Sequence, residues 1–159
     1  MQTESARMSS AAEARFRVQA PNSLPRAVAV VALDETAARE VQRLADAGWR
    51  HAVFFTVDPD SDSRVRDLAG APTEIDDLVR ASDLVVLVAS PGGRARAATA
   101  IGEACSLRRV MTTGFIVGAR SASERELSKT LAQIRPWSLM VVVSQSDDYI
   151  DDMLIALRA

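Results

Sequence analysis

The chain has 159 residues, 48% of them hydrophobic, and a formal net charge of -2. That length and apolar content suit one globular domain around one core. The near-neutral balance, without clustered positive charge, excludes nucleic acid as a partner, and a single cysteine, Cys105, excludes an internal disulfide and a cysteine-built metal cage.

Lys129 is the one lysine among 19 basic residues, a bias expected of a GC-rich bacterial genome. One unpaired cysteine suits a reducing cytoplasm. No apolar run reaches the length that spans a bilayer, so no membrane partner is expected. The N-terminal stretch mixes charges with small residues and lacks the apolar core of a secretory signal. Its polarity, with Pro21, Asn22 and Pro25, predicts a poorly ordered arm over 1–25. A short helix over Ala11–Arg17 is the one element it could hold. A single α/β domain is expected over 26–159.

Five apolar runs follow: Ala27–Leu33, Ala52–Val57, Leu84–Ala89, Val110–Val117 and Leu139–Val143. They are nearly continuous rather than alternating, as strands covered on both faces are. Helical patterns separate them. Glu35–Ala47 puts Ala37, Val41, Leu44 and Ala45 on one face, with Asp34 to cap it and Gly48 to end it. Asp58–Pro72 is an irregular stretch. Thr73–Ala81 carries Ile75, Leu78 and Val79. Arg94–Leu107 carries Ala97, Ala98, Ile101, Ala104 and Cys105. Ser123–Arg135 opens with a capping-box pattern, Ser123 and Glu126, and buries Leu127, Leu131 and Ile134. Asp148–Leu157 aligns Tyr149, Ile150, Met153, Leu154 and Leu157. Strands alternating with helices predict a three-layer Rossmann-like α/β sandwich with a five-stranded parallel sheet of order 2-1-3-4-5.

In such a sheet ligands bind beyond the carboxyl ends of the strands, where the order reverses. The residues expected there are Asp34–Thr36, Asp58–Ser63 and Ser90–Arg96, with Gly118–Ser123 and Ser144–Asp148 on the same rim. The turn Ser90-Pro91-Gly92-Gly93-Arg94-Ala95-Arg96 is the candidate anion site. Glycines admit a close ligand, a helix start offers free N–H groups, and Arg94 and Arg96 offer charge-assisted bonds. A plain tight turn is the competing reading. The first loop opposes a nucleotide. It has no glycine, and Asp34 and Glu35 stand where phosphates would approach.

Asp58-Pro59-Asp60-Ser61-Asp62 has the spacing of a calcium loop's start, but Ser63 and Ala69 replace its glycine and its bidentate acid. A solvated acidic turn is expected, with a loosely held Mg²⁺ as the alternative. His51, the one histidine, sits at a strand start, at the opposite end from the crevice. Two-histidine metal sites and a serine triad are thereby excluded. Cys105, on an apolar stripe, reads as a packed residue rather than a nucleophile. Trp49, Trp137 and Tyr149, isolated at element ends, read as packing groups. No catalytic residue, metal site or cofactor emerges.

The order of segments resembles the N-terminal GTP-binding domain of the tubulin/FtsZ family across most of Ala27–Ile150. Val28-Ala29-Val30-Val31, the helix ending in Ala47-Gly48, and Val53-Phe54-Phe55-Thr56-Val57-Asp58 look like its first units. Asp83-Leu84-Val85-Val86-Leu87-Val88-Ala89-Ser90-Pro91-Gly92-Gly93 looks like the strand that enters its phosphate loop. Ala97–Cys105, Val110–Val117 and Trp137–Asp147 continue the likeness. The departures fall on the nucleotide loops. Leu33-Asp34-Glu35-Thr36 replaces the first glycine-rich loop, and only Gly92 and Gly93 remain in the second. The segment between strands two and three is shortened. The sequence stops at Ala159, before the family's central helix and the domain that supplies its catalytic acids.

A preserved scaffold with degraded ligand loops and no catalytic set points to a domain without catalysis that acts through protein contacts, as an accessory or regulatory protein; sheets of this size often pair through edge strands or exposed helix faces, so the expected partner is a protein or a second copy in a homodimer. A module for a phosphorylated small molecule or nucleotide, built on Ser90–Arg96, is the second reading. A small enzyme or enzyme subunit using Asp34, Asp58 or Ser90 is the third.

Overall fold

The computed structural model describes residues 24–146 and 149–159. The expected arm over 1–25, its helix Ala11–Arg17, and the start of the last helix at Asp148 fall wholly or partly outside the described residues. Seven strands of the described residues form one sheet: β1 (Val28–Ala32), β2 (Ala52–Val57), β3 (Arg64–Asp67), β4 (Pro72–Glu74), β5 (Leu84–Ala89), β6 (Met111–Ile116) and β7 (Met140–Val143). Among the described residues five helices accompany them: α1 (Glu35–Asp46), α2 (Ile75–Arg80), α3 (Ala97–Arg108), α4 (Glu124–Ile134) and α5 (Tyr149–Ala156). Short 3₁₀ turns cover Ala119–Ser121 and Arg135–Trp137.

The sheet order is β4-β3-β2-β1-β5-β6-β7. Five strands, β2-β1-β5-β6-β7, pair in parallel. β3 and β4 add antiparallel to the free edge of β2. This corrects the expectation of five strands in an all-parallel sheet. The irregular stretch Asp58–Pro72 folds back as a strand extension. Asp58 starts the reversal by accepting the Asp60 N–H at 3.0 Å, and Gly70, at φ +91°, completes the second turn. Val65 is the one buried residue of β3, too small an apolar signal to mark a strand in the sequence. β4 also displaces the expected helix start at Thr73, because Thr73 pairs with Val65 and Glu74 with Arg64. The helix begins at Ile75 instead. Pro72 is tolerated because β4 is an edge.

Two apolar layers flank the sheet, which explains the unbroken runs. Ala29 and Val31 of β1 and Val85 and Leu87 of β5 point toward α2, α3 and α4, against Leu78, Ile101 and Ile134. Val28 and Val30, with Val86 and Val88, point the other way, against Val41 and Leu44 of α1 and Ile150 and Leu154 of α5. Alternate residues of one strand thus enter different cores. Arg43 ties the second layer together, bonding Glu40 on its own helix and Asp151 of α5. These two carboxylates hold its pKa well above the ordinary arginine value.

Some expected core positions shift. Leu127 and Leu131 are only partly buried, while Thr130, unremarked in the sequence, is fully enclosed in α4. Tyr149 is largely exposed, with its ring 6.2 Å from that of Phe115. The capping box of Ser123 and Glu126 and the end of α1 at Gly48, φ +75°, form as the residue types dictate.

Candidate functional site

At the carboxyl ends of β1, β2 and β5 lies a cleft of about 730 Å³. Its walls come from Asp34–Thr36, from Asp58 and Asp62, and from Ser90–Arg94 with Arg96. These are the segments expected at the reversal point. Gly118–Ser123 and Ser144–Ser146 do not line it.

The centre of the cleft is one carboxylate. Asp34 follows β1 in an extended conformation and caps α1, where it accepts the Ala37 N–H at 2.9 Å. It also reaches across to the end of β5. There Ser90 donates its N–H to Oδ2 and its hydroxyl to Oδ1, both at 2.7 Å. Three donors from two loops therefore converge on one side chain. A helix start and free N–H groups favour an anion, and here the protein supplies that anion itself.

The glycine turn is shaped by this contact. A Cβ on Gly93 would lie 2.6 Å from Asp34 Cγ, a collision that only glycine avoids. Gly92 takes φ +78° and passes close to Glu126 of α4. The Gly93 N–H bonds the Ser90 carbonyl at 3.1 Å. The Gly92 N–H bonds Thr130 Oγ1 at 3.1 Å, and the Ala95 N–H bonds Gln133 Oε1 at 3.2 Å. The turn is thus pinned from beneath by α4.

The expectation that Ser90–Arg96 runs straight into a helix is corrected. α3 starts at Ala97, and Arg96 stands at its cap position without a side-chain bond to the cap. Gly92 and Gly93 therefore sit in a separate turn, ahead of the helix N–H groups. Arg94 and Arg96 are exposed at the mouth, with no side-chain hydrogen bond or ion pair among the described residues.

Asp58 is buried on the opposite wall. The Asp60 N–H and the Arg66 guanidinium, at 3.0 Å, hold its carboxyl below the usual range. Arg66 also bonds Asp60. The cleft is therefore acidic on the β1–β2 side and basic along the lip after β5.

Among the described residues no group of three or more His, Cys, Asp or Glu could hold a metal ion, and no helix is long and apolar enough to cross a membrane. His51 lies just before β2, at the far end from the cleft, where its carbonyl accepts the Val28 N–H. Cys105 is buried, and burial pushes its thiol pKa up. Thr130 and Gln133 are the residues that sequence reading missed. Their signal is faint: two polar side chains three apart on the inward side of an amphipathic helix.

These features define a tubulin/FtsZ-like α/β fold. Among solved structures, a mutant of FtsZ from M. jannaschii aligns with a TM-score of 0.50 at 15% identity, covering 73% of this chain and 45% of that one. The chain thus spans less than half the length of that FtsZ, and the likeness is one of fold. No protein-family model matches the sequence. No curated protein matches it either.

Proposed function

We propose that this is an FtsZ-like domain without nucleotide chemistry that works through protein contacts, as an accessory or regulatory protein. The observation that carries this reading is the Asp34 carboxylate, seated on Ser90 and on the start of α1. Phosphates of a guanine nucleotide do not fit against it. They would have to displace a bonded carboxylate or lie beside its charge, and the N–H groups of Ser90, Gly92, Gly93 and Ala95 already have protein acceptors. Asp58 and Ser90 are committed to structural bonds, which weighs against a general acid or base role for either. A scaffold kept with its loops closed is suited to contact rather than turnover.

The test is thermal shift against GTP, GDP, ATP, NAD, FMN, coenzyme A and inorganic phosphate, each at about 1 mM. A ligand held one hundredfold below that concentration would add about 2.7 kcal/mol. No shift is expected. A GTP shift accompanied by hydrolysis would overturn the proposal.

A second reading has one observation in its favour, the pair of free guanidinium groups at the mouth, Arg94 and Arg96. In that reading the lip captures a phosphorylated small molecule from outside the turn. A phosphate-dependent shift that disappears in Arg94→Ala/Arg96→Ala would select it.

A further inference from the structure

Cations far apart in the sequence gather along one groove. α3 and α4 lie side by side, joined by the Gln133 bond to the Ala95 N–H and, further along, by Trp137 against Gly102. A Cβ on Gly102 would fall 2.5 Å from Trp137 Cβ, so the missing side chain is what seats the indole there. On either side of Trp137 the surface between the helices opens into a recess. The upper one, about 490 Å³, is lined by Arg96, Thr99, Ala132 and Gln133. The lower one, about 410 Å³, is lined by Ser106, Arg109, Met111 and Leu139. Pro136 and Trp137 border both, so the two recesses make one groove along α3.

The charges along it follow a pattern. Arg96 stands at the upper end. Lys129 joins it there, because it lies three and four residues before Ala132 and Gln133 and shares their side of α4. Arg109 stands at the lower end. It closes α3 at φ 56°, in the left-handed conformation that glycine ordinarily supplies. A long cationic side chain is thus kept where it costs conformational energy. Glu103 lies four residues after Thr99 and three before Ser106, on the outer wall between the two basic ends. Arg96, Glu103, Arg109 and Lys129 are all exposed, with no ion pair or side-chain hydrogen bond among the described residues.

From this arrangement we infer that the groove docks an extended acidic segment of a partner protein, with carboxylates at both ends and apolar side chains between them. Along the helix Arg96 and Arg109 are ~20 Å apart, the reach of about six extended residues. Carboxylates at that spacing meet Arg96 and Lys129 at one end and Arg109 at the other. The apolar side chains between them meet Trp137, Pro136 and Leu139. Glu103 selects against a strand charged along its whole length, such as a nucleic acid, because it would face the middle of that strand.

The inference names the kind of partner for the protein-contact reading and rests on it, yet the two fail separately: nucleotide titration tests the cleft and peptide titration tests the groove. The experiment is fluorescence titration of the full chain carrying Trp49→Phe, which leaves Trp137 as the sole indole. The probe is the peptide Asp-Glu-Ala-Leu-Leu-Ala-Asp-Glu, with Lys-Lys-Ala-Leu-Leu-Ala-Lys-Lys and a thymidine octanucleotide as comparisons. The acidic peptide should change the Trp137 emission saturably, and the lysine peptide should not. Arg96→Glu/Lys129→Glu and Arg109→Glu should each raise the dissociation constant at least tenfold, with far-UV circular dichroism unchanged. Glu103→Lys should lower it. No saturable change up to about 1 mM peptide overturns the inference. So does binding indifferent to the charge reversals, or an octanucleotide that binds as tightly as the peptide. An emission change that follows protein concentration without peptide assigns the groove to a second copy and overturns it as well.

Discussion

The cleft at the end of β5 and the edge of β7 handle their backbone polar groups in opposite ways. In the cleft the N–H groups of Ser90, Gly92, Gly93 and Ala95 are met by Asp34, Thr130, a local carbonyl and Gln133. At β7 one side of the strand faces no partner strand within the described chain. A glycine turn at a helix-rich rim looks like an invitation to a ligand, and here it is internally closed. A plain run of valines looks like core, and it is the side left open. Binding capacity follows from which donors and acceptors remain unmet, not from which residue types are present.

Breaking the closed side should cost most. Asp34→Ala removes a helix cap and two charge-assisted bonds, an expected loss of about 2–4 kcal/mol in urea denaturation. Gly93→Ala pushes a methyl group into Asp34, with an expected loss of about 1–3 kcal/mol. Combined with Asp34→Ala, the Gly93→Ala penalty should shrink, because the obstacle is gone. A double-mutant cycle reads that coupling, and strict additivity would contradict the contact.

Acid should loosen the same rim by a smaller step. The folded-state pKa of Asp58 is lowered, chiefly by the Asp60 N–H and then by Arg66. Its stabilisation is therefore present above the ordinary 3.8 and is lost as pH falls through the lowered value. Thermal melts of Asp58→Asn should show a flatter decline below pH 3.8 than the parent chain. An equal decline in both would place the acid sensitivity elsewhere, at Asp76 or Glu126, whose pKa values are also lowered.

The smallest effects belong to groups outside both arrangements. Arg94→Ala/Arg96→Ala should change stability by less than about 0.5 kcal/mol per site, since neither guanidinium bonds a described residue. Cys105, enclosed with a raised thiol pKa, should resist iodoacetamide in the native state and react once the chain is unfolded in urea. Fast native labelling would mean that α3 opens readily.

Much of this was legible in advance. The runs Val28–Ala32 and Leu84–Ala89 declare buried strands because every residue is apolar, and Ser123 with Glu126 declares a helix start. The expected crevice between β1 and β5 exists. What was not legible rests on contacts between distant segments. Arg64–Asp67 has a single buried side chain, so its strand appears only once β2 offers an edge. Asp34 is a good cap in sequence, but its second role needs Ser90, 56 positions away. Thr130 and Gln133 read as ordinary polar helix residues until α4 is laid beneath the glycine turn.

The sequence by itself determined the alternation of strand and helix, the two-sided burial of the sheet and the caps, because these depend on residues within one or two turns of each other. Only the tertiary structure decided that the phosphate-like turn carries its own carboxylate, that the sheet grows by a hairpin on one side, and that among the described residues β7 on the other side pairs with β6 alone. Those outcomes depend on which distant donors and acceptors are brought within about 3 Å, and a hydrogen bond has no strength until that distance is reached.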